Sequence, residues 1–231
     1  MTLDYPKHKN ILLQILKDIF SDTSLSPYLG FKGGTAALMF YGLDRDSVDI
    51  DLDLLDESKE QEVFEKIQKI ASSYGKIIDS RIKRFNLVTI ISYDLKSQNI
   101  KVEVNRRDFG SRYELKTLLG ISMQVMVKED MFANKLMAMY ERIGKTSRDV
   151  YDVYFFTKNN WPINKKLVED RAKISFREVL VKCVELLEKM DNRHILDGLG
   201  EVLTAPQKDW ARAKLRSEAT FYLNALLASE Q

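Results

Sequence analysis

Apolar residues return every three or four positions along residues 7–20, where Ile11, Leu12, Ile15, Leu16 and Ile19 fall on one side of a helix. Gly30 then precedes a short extended piece, Phe31-Lys32, and Gly33-Gly34 opens a helix over residues 35–41. Over residues 47–55 the period changes to two. Val48, Ile50, Leu52 and Leu54 share one face, and Asp49, Asp51 and Asp53 share the other, which predicts a strand. Residues 58–73 read as an amphipathic helix with Ser58 at its start and Glu60 close behind. β-like runs follow at 76–83, 87–95 and 99–106, with turn signals at 84–86 and 97–99, and a short strand is expected over 121–127. From Lys128 onward β signals vanish. Helices are expected over 128–143, 147–157, 165–172, 175–189 and 207–228. The pattern predicts an α+β protein: a mixed β-sheet core flanked by helices over residues 1–125, then a helical domain over 126–231.

Composition narrows this picture only slightly. At 231 residues, 45% hydrophobic and 30% charged, the chain has ordinary globular content and can bury a sizeable core. The single cysteine, Cys183, lies among Val184, Leu186 and Leu187 and reads as a packing thiol; it rules out an intrachain disulfide and points to a reducing compartment. The N-terminus lacks signal-peptide design, and no apolar run approaches the ~20 residues that span a bilayer, so no membrane role and a cytoplasmic location are expected. A net charge of +2 neither requires nor excludes a nucleic-acid partner. His8 and His194 have no metal-like spacing, and neither is given a role.

The three aspartates call for explanation, because burying so many anions without partners is very costly. One reading is a strand with its acids in solvent. The other is a divalent-cation site, since magnesium favours a few carboxylates completed by phosphate oxygens and water. Asp49 and Asp51, two residues apart, suit such a clasp, and the alternating run 99–105 supplies Glu103 as a third ligand from a neighbouring strand. Gly33 and Gly34 fit the same picture, because glycines at a helix N-terminus let phosphate approach backbone amides; Thr35 is placed to cap that helix or to meet a phosphate.

These residues resemble the DNA polymerase beta-like nucleotidyltransferase superfamily: a glycine pair, a short helix, alternating acids on a strand and a third acid on a later one. The closer resemblance is to the AbiEii/AbiGii toxin family, which includes the MenT-like toxins. Four motifs carry it, in order, across roughly residues 30–157: Lys32-Gly33-Gly34-Thr35-Ala36 with Leu38, Arg45-Asp46-Ser47-Val48-Asp49-Ile50-Asp51-Leu52, Ala133-Asn134-Lys135-Leu136, and Arg148-Asp149-Val150-Tyr151-Asp152-Val153-Tyr154. Glu103 stands where aspartate is common in the superfamily, and residues 160–231 carry no recognised motif.

The resemblance implies an N-terminal nucleotidyltransferase core with Asp49, Asp51 and Glu103 as ligands of Mg2+ (or Mn2+). It implies that the helical domain contributes Lys135 and Asp149/Asp152 to the active-site cleft: Lys135 toward the NTP triphosphate, and one of the two aspartates as base or orienter. Lys32, Arg45, Ser47 and Arg148 become candidates for phosphate or nucleotide contact, each against a plain structural reading. The implied activity is NMP transfer from an NTP to an acceptor hydroxyl with pyrophosphate release, in the toxin of a bacterial toxin–antitoxin or phage-defence system. The implied partners are the NTP, a tRNA or other RNA acceptor and an antitoxin protein encoded alongside. Alternatives are a small-molecule, aminoglycoside-like acceptor and a non-catalytic nucleotide-binding relative. Basic clusters in the helical half, Lys165 to Lys182 and Lys208 to Arg216, suit either an RNA backbone or a solvated helical surface.

Overall fold

A computed structural model describes residues 5–94, 98–143 and 145–230. Leu95, expected to end a strand, and Ser97, in an expected turn, lie outside the described residues, as do residues 1–4 of the N-terminal reading and the C-terminal Gln231. The chain forms two compact units, one of residues 1–42 and 46–127, the other of residues 43–45 and 128–231. Among the described residues no helix is long and apolar enough to cross a membrane.

Among the described residues the first unit is a seven-stranded mixed sheet with three α-helices. In chain order these are α1 (Tyr5–Ser21), β1 (Leu29–Lys32), α2 (Gly33–Tyr41), β2 (Ile50–Leu54), α3 (Glu60–Ser72), β3 (Lys76–Ile82), β4 (Asn86–Ser92), β5 (Ile100–Asn105), β6 (Tyr113–Leu118) and β7 (Ile121–Met126). The strand order is β3-β4-β5-β2-β1-β7-β6. β2 runs antiparallel to β1 and parallel to β5, so it is flanked by the two strands that carry the other charged residues of interest. Its period-two pattern does what the sequence suggested: Ile50 and Leu52 are buried with Val102 and Val104 of β5, and the acids project from the opposite face. α1 buries Leu12, Ile15, Leu16 and Ile19 and packs on α3 and β7.

Three local differences from expectation have physical causes. α3 begins at Glu60 rather than Ser58, because Asp56 accepts from the Ser58 N–H and caps a short 3-10 turn first. β6 went unseen because it is a sheet edge: its residues are half-buried or exposed on both faces, with Leu115 75% exposed, so no burial alternation marks it. It joins β7 through Leu119-Gly120, both at positive φ, the turn geometry that suits a two-residue hairpin. The expected helix over 207–228 is α8 (Ala205–Trp210) and α9 (Arg216–Ala228), separated by a π-helical turn over Ala211–Leu215.

The second unit contains α4 (Lys128–Arg142), α5 (Arg148–Lys158), α6 (Lys165–Ala172), α7 (Phe176–Lys189), α8 and α9. α4 packs on α5, α6 and α7, and α9 packs on α5 and α7. Cys183 is fully buried, and burial pushes its thiol up to about 12, as a packing cysteine requires. Residues 43–45 join this unit through side chains: Tyr151 Oη donates to Asp44 Oδ1 at 2.9 Å, and Gln207 Nε2 donates to the Asp44 carbonyl at 2.5 Å.

Candidate active site

On the first unit, Asp51 pairs across β2–β5 with Glu103 and across β1–β2 with Lys32. Gly33 makes the position of Asp51 possible. It has φ +77°, and a side chain there would overlap the Asp51 carboxylate. The carboxylate therefore lies directly against the first residue of α2, where backbone amides face outward and the helix dipole favours an anion such as phosphate. Thr35 does not cap α2. It is buried one turn in, donates to the Asp49 carbonyl and lies 2.8 Å from Ser47 Oγ, so both hydroxyls brace the segment entering β2.

Sequence reasoning passed over Lys101. The register sets it on the acid face of β5, with Nζ 2.5 Å from Glu103 Oε2 and 4.0 Å from Asp49 Oδ2. Burial disfavours its charge, but the Asp51, Asp49 and Glu103 carboxylates outweigh this and hold the ammonium above its usual range. Glu103 also accepts from Asn86 Nδ2. The alternation of Lys101 with Glu103 was visible in the sequence; their parallel register with Asp49 and Asp51 was not.

Asp53 plays another part. It is 8% exposed and accepts from Lys32 Nζ at 2.5 Å, Asn105 Nδ2 at 2.6 Å and Tyr113 Oη at 2.5 Å. Tyr113 reaches it by lying across Gly30, where any Cβ would strike the ring. Asp53 is thus a buried brace across β1, β2, β5 and β6, and Lys32 is engaged with it.

No group of three or more His, Cys, Asp or Glu among the described residues stands ready to hold a metal. The donor chemistry still suits magnesium shared with substrate. The acid face carries Asp49, Asp51, Asp53 and Glu103 against Lys32 and Lys101, which leaves two negative charges, as many as one divalent cation neutralises. Asp49 and Asp51 would supply the one or two carboxylates that magnesium takes when phosphate oxygens complete its shell.

The second unit holds a separate charged cluster. Arg45 grips Asp152 with Nε–Oδ1 at 2.6 Å and Nη2–Oδ2 at 2.7 Å, and both side chains are essentially buried. Lys135 Nζ is 2.7 Å from Asp152 Oδ2 and 3.2 Å from Asp149 Oδ1, and Arg142 Nη2 is 2.7 Å from Asp149 Oδ2. Burial alone would raise the Asp152 carboxyl, but the Arg45 charge and then that of Lys135 outweigh it and hold it well below the usual carboxylate range. Burial likewise works against the charge on Lys135, and Asp152 and Asp149 restore it. Three cations against two carboxylates leave one positive charge here. The i, i+3 spacing of Asp149 and Asp152 gave their common face; the partner of Arg45, 107 residues away, was not legible.

Arg45 is therefore spent on Asp152 rather than displayed, and Arg148 Nε donates to the Gly198 carbonyl at 2.8 Å. Several members of the helical basic clusters are also engaged, Lys165 with Glu230, Arg171 with Glu141 and Arg212 with Asp209. His8 is structural: Nε2 is 2.9 Å from the Val48 carbonyl and Nδ1 is 2.8 Å from Tyr93 Oη.

Comparison with known proteins bears on the fold and the family. The chain has the fold of two solved structures: JHP933 from Helicobacter pylori (19% identity, TM-score 0.59, covering 100% of this chain and 97% of that one) and a candidate nucleotidyltransferase from H. pylori (20% identity, TM-score 0.60, covering 100% and 99%). No curated protein matches the chain. The sequence profile of the family described as nucleotidyl transferase AbiEii toxin, type IV toxin–antitoxin system, matches residues 14–220. That match takes in the glycine pair, the acid strand, Lys135 and both aspartates of α5, and the chain belongs to the AbiEii family of nucleotidyltransferase toxins.

Proposed function

We propose that this nucleotidyltransferase acts with Mg2+ (or Mn2+), that its acceptor is a tRNA or other RNA, and that it is the toxin of a bacterial toxin–antitoxin or phage-defence pair. In the reaction the acceptor oxygen bonds to the α-phosphorus of the NTP, the bond from that phosphorus to the α–β bridging oxygen breaks, pyrophosphate leaves, and the acceptor hydroxyl gives up its proton to solvent water. Bound metal would supply Lewis-acid activation of the phosphate and of the attacking oxygen. Asp49 and Asp51 would hold it, and Glu103 would join them once released from Lys101. The Gly33-Gly34 amides at the start of α2 receive phosphate oxygens, the task for which a helix N-terminus is suited.

Lys135 is the cation assigned to the triphosphate, a point charge that offsets negative charge developed in transfer. Asp152 and Asp149 are assigned as its orienters rather than as bases. Both oxygens of Asp152 are taken by Arg45 and Lys135, and Asp149 is shared between Lys135 and Arg142. Membership of a toxin family implies an antitoxin partner from the same system.

The observation that carries the reading is the Asp51 carboxylate seated against Gly33 at the α2 N-terminus, since it brings a metal-binding acid and a phosphate-binding helix end together. The test incubates the protein with Mg2+, each α-labelled NTP in turn and total bacterial tRNA, beside Asp51→Ala. Label on tRNA with a particular NTP, lost in the variant, is expected. Undiminished transfer by Asp51→Ala would remove the site assignment, and label on none of the RNA would remove the RNA acceptor.

A further inference from the structure

At the end of the acid face the first unit carries a stack of alternating cations and rings. The Arg84 guanidinium lies 4.9 Å from the Phe85 ring centroid, that of Arg107 lies 4.8 Å from Phe85, and Arg107 lies 5.0 Å from the Phe109 ring. Phe85 is 42% exposed, a large ring left in solvent at the β3–β4 turn, and Arg84 and Arg107 are exposed as well. Neither arginine pairs with a carboxylate among the described residues. Lys83, also exposed, adds a third positive group. The one carboxylate of the β5–β6 loop beside it, Asp108, accepts from the Gly110 N–H. The turn is anchored rather than loose: Arg106 N donates to the Phe85 carbonyl at 2.8 Å, and Lys83 N to the Asn86 carbonyl at 2.8 Å.

The stack adjoins the acid face through hydrogen bonds. Arg107 Nε donates to Asn105 Oδ1 at 3.2 Å, Asn105 Nδ2 donates to Asp53, and Asn86, next to Phe85, donates to Glu103. Glu103 and Asn105 share one face of β5, and Arg107 lies two residues beyond its end.

From this geometry we infer that Arg84, Phe85, Arg107 and Phe109 form a stacking platform for a single-stranded RNA segment just upstream of the reacting 3′ end. The inference rests on the RNA-acceptor reading above. A flat polyanion is the ligand this chemistry fits. Exposed aromatic faces and guanidinium planes accept bases without regard to sequence, and unpaired cations meet the backbone. A duplex offers neither its base faces nor the flexibility to reach them. The four steps from Glu103 to Arg107 span at most about 13 Å at ~3.3 Å each, close to four nucleotides at a stacked rise of ~3.4 Å. The platform therefore selects an acceptor whose 3′ end is unpaired over about four nucleotides.

The test is equilibrium binding of fluorescently labelled RNA hairpins to the full chain, without NTP or metal, comparing a 3′ overhang of about four nucleotides with a blunt end. The wild type should favour the overhang. Phe85→Ala and Arg107→Lys should each weaken overhang binding at least about fivefold while leaving the blunt hairpin unchanged; lysine keeps the charge and loses the plane. Arg84→Ala should lower the slope of log affinity against log salt by about 0.7. Unchanged melting temperatures will show that the variants fold. Overhang binding equal in wild type and variants would overturn the platform alone. Binding of no RNA by the wild type would overturn the RNA-acceptor reading, and the platform with it. Loss of binding to phosphatidylserine vesicles in Arg84→Ala and Arg107→Lys, with RNA affinity intact, would reassign the surface to anionic lipid.

Discussion

Lys101→Met should tighten binding of a divalent cation by the free protein. Lys101 Nζ stands where it neutralises the very carboxylates a metal would use, 2.5 Å from Glu103 and 4.0 Å from Asp49. A unit-charge interaction at 4.0 Å is worth about 4 kcal/mol at an effective dielectric near 20 and about 1 kcal/mol in water. Lys101 is 33% exposed and Asp49 23%, so solvent screening pulls the value toward the lower figure. A net of about 1–2 kcal/mol corresponds to roughly tenfold in affinity. Methionine keeps an unbranched side chain over the strand and removes only the charge. The assay is titration of Mn2+ into metal-free protein, followed by calorimetry or by the spectrum of free Mn2+, with Asp49→Ala and Asp51→Ala as controls that should abolish the tight site. Equal or weaker Mn2+ binding by Lys101→Met would refute the argument that this ammonium competes with metal. Because the readout is binding, it does not depend on which acceptor the enzyme uses.

Two further outcomes follow from the buried groups. Arg45→Met should cost about 3 kcal/mol in urea unfolding, the low end for a broken buried pair, because Lys135 stays 2.7 Å from the orphaned Asp152; adding Asp152→Asn should recover part of it, and a loss below about 1 kcal/mol for Arg45→Met would contradict the pairing. For His8, burial depresses the imidazole pKa against the pull of the Val48 and Gln98 backbone bonds, so the folded state prefers neutral His8. The stability this gives is full above the unfolded value of ~6.5 and is lost as pH falls through the lower folded value. The urea midpoint should therefore drop from pH 7.5 to pH 5.5, and His8→Gln should flatten that slope; an identical slope in the variant would contradict it.

How much of this was written locally differs between the two units. α1 and α7 each bury one face at a clear helical period, and β5 alternates over most of its length; such elements announce themselves. β6 does not, because an edge strand with exposed Leu115 has no face to bury. The acid row was legible because alternation alone puts Asp49, Asp51 and Asp53 on one side. What alternation cannot give is register. The pairing of Asp51 with Glu103, the arrival of Lys101 beside Asp49 and the donation of Tyr113 to Asp53 all depend on which strand lies next to which. Arg45 shows the same limit over a longer span. Its partner is Asp152, and the cost of burying a guanidinium is met chiefly by that carboxylate, with Asp149 adding to it.

That pairing also explains why one motif serves two structural ends. In Arg45-Asp46-Ser47-Val48-Asp49-Ile50-Asp51, the first residue belongs to the helical unit and the remainder to the sheet unit. Arg45 fixes Asp152, Asp152 fixes Lys135, and Lys135 retains its charge although buried. Ser47 and the Asp49 carbonyl are tied to Thr35, which links the start of the acid strand to the helix opened by Gly33. The hydroxyl of this motif thus meets that of Thr35, and its arginine holds a carboxylate. The proposed function assigns Asp49, Asp51 and the α2 amides of the sheet unit to metal and phosphate, and Lys135 of the helical unit to the triphosphate. Under that reading a point change at Ser47 or Thr35 would act through the entry to the acid strand, and one at Arg45 through Asp152 and Lys135.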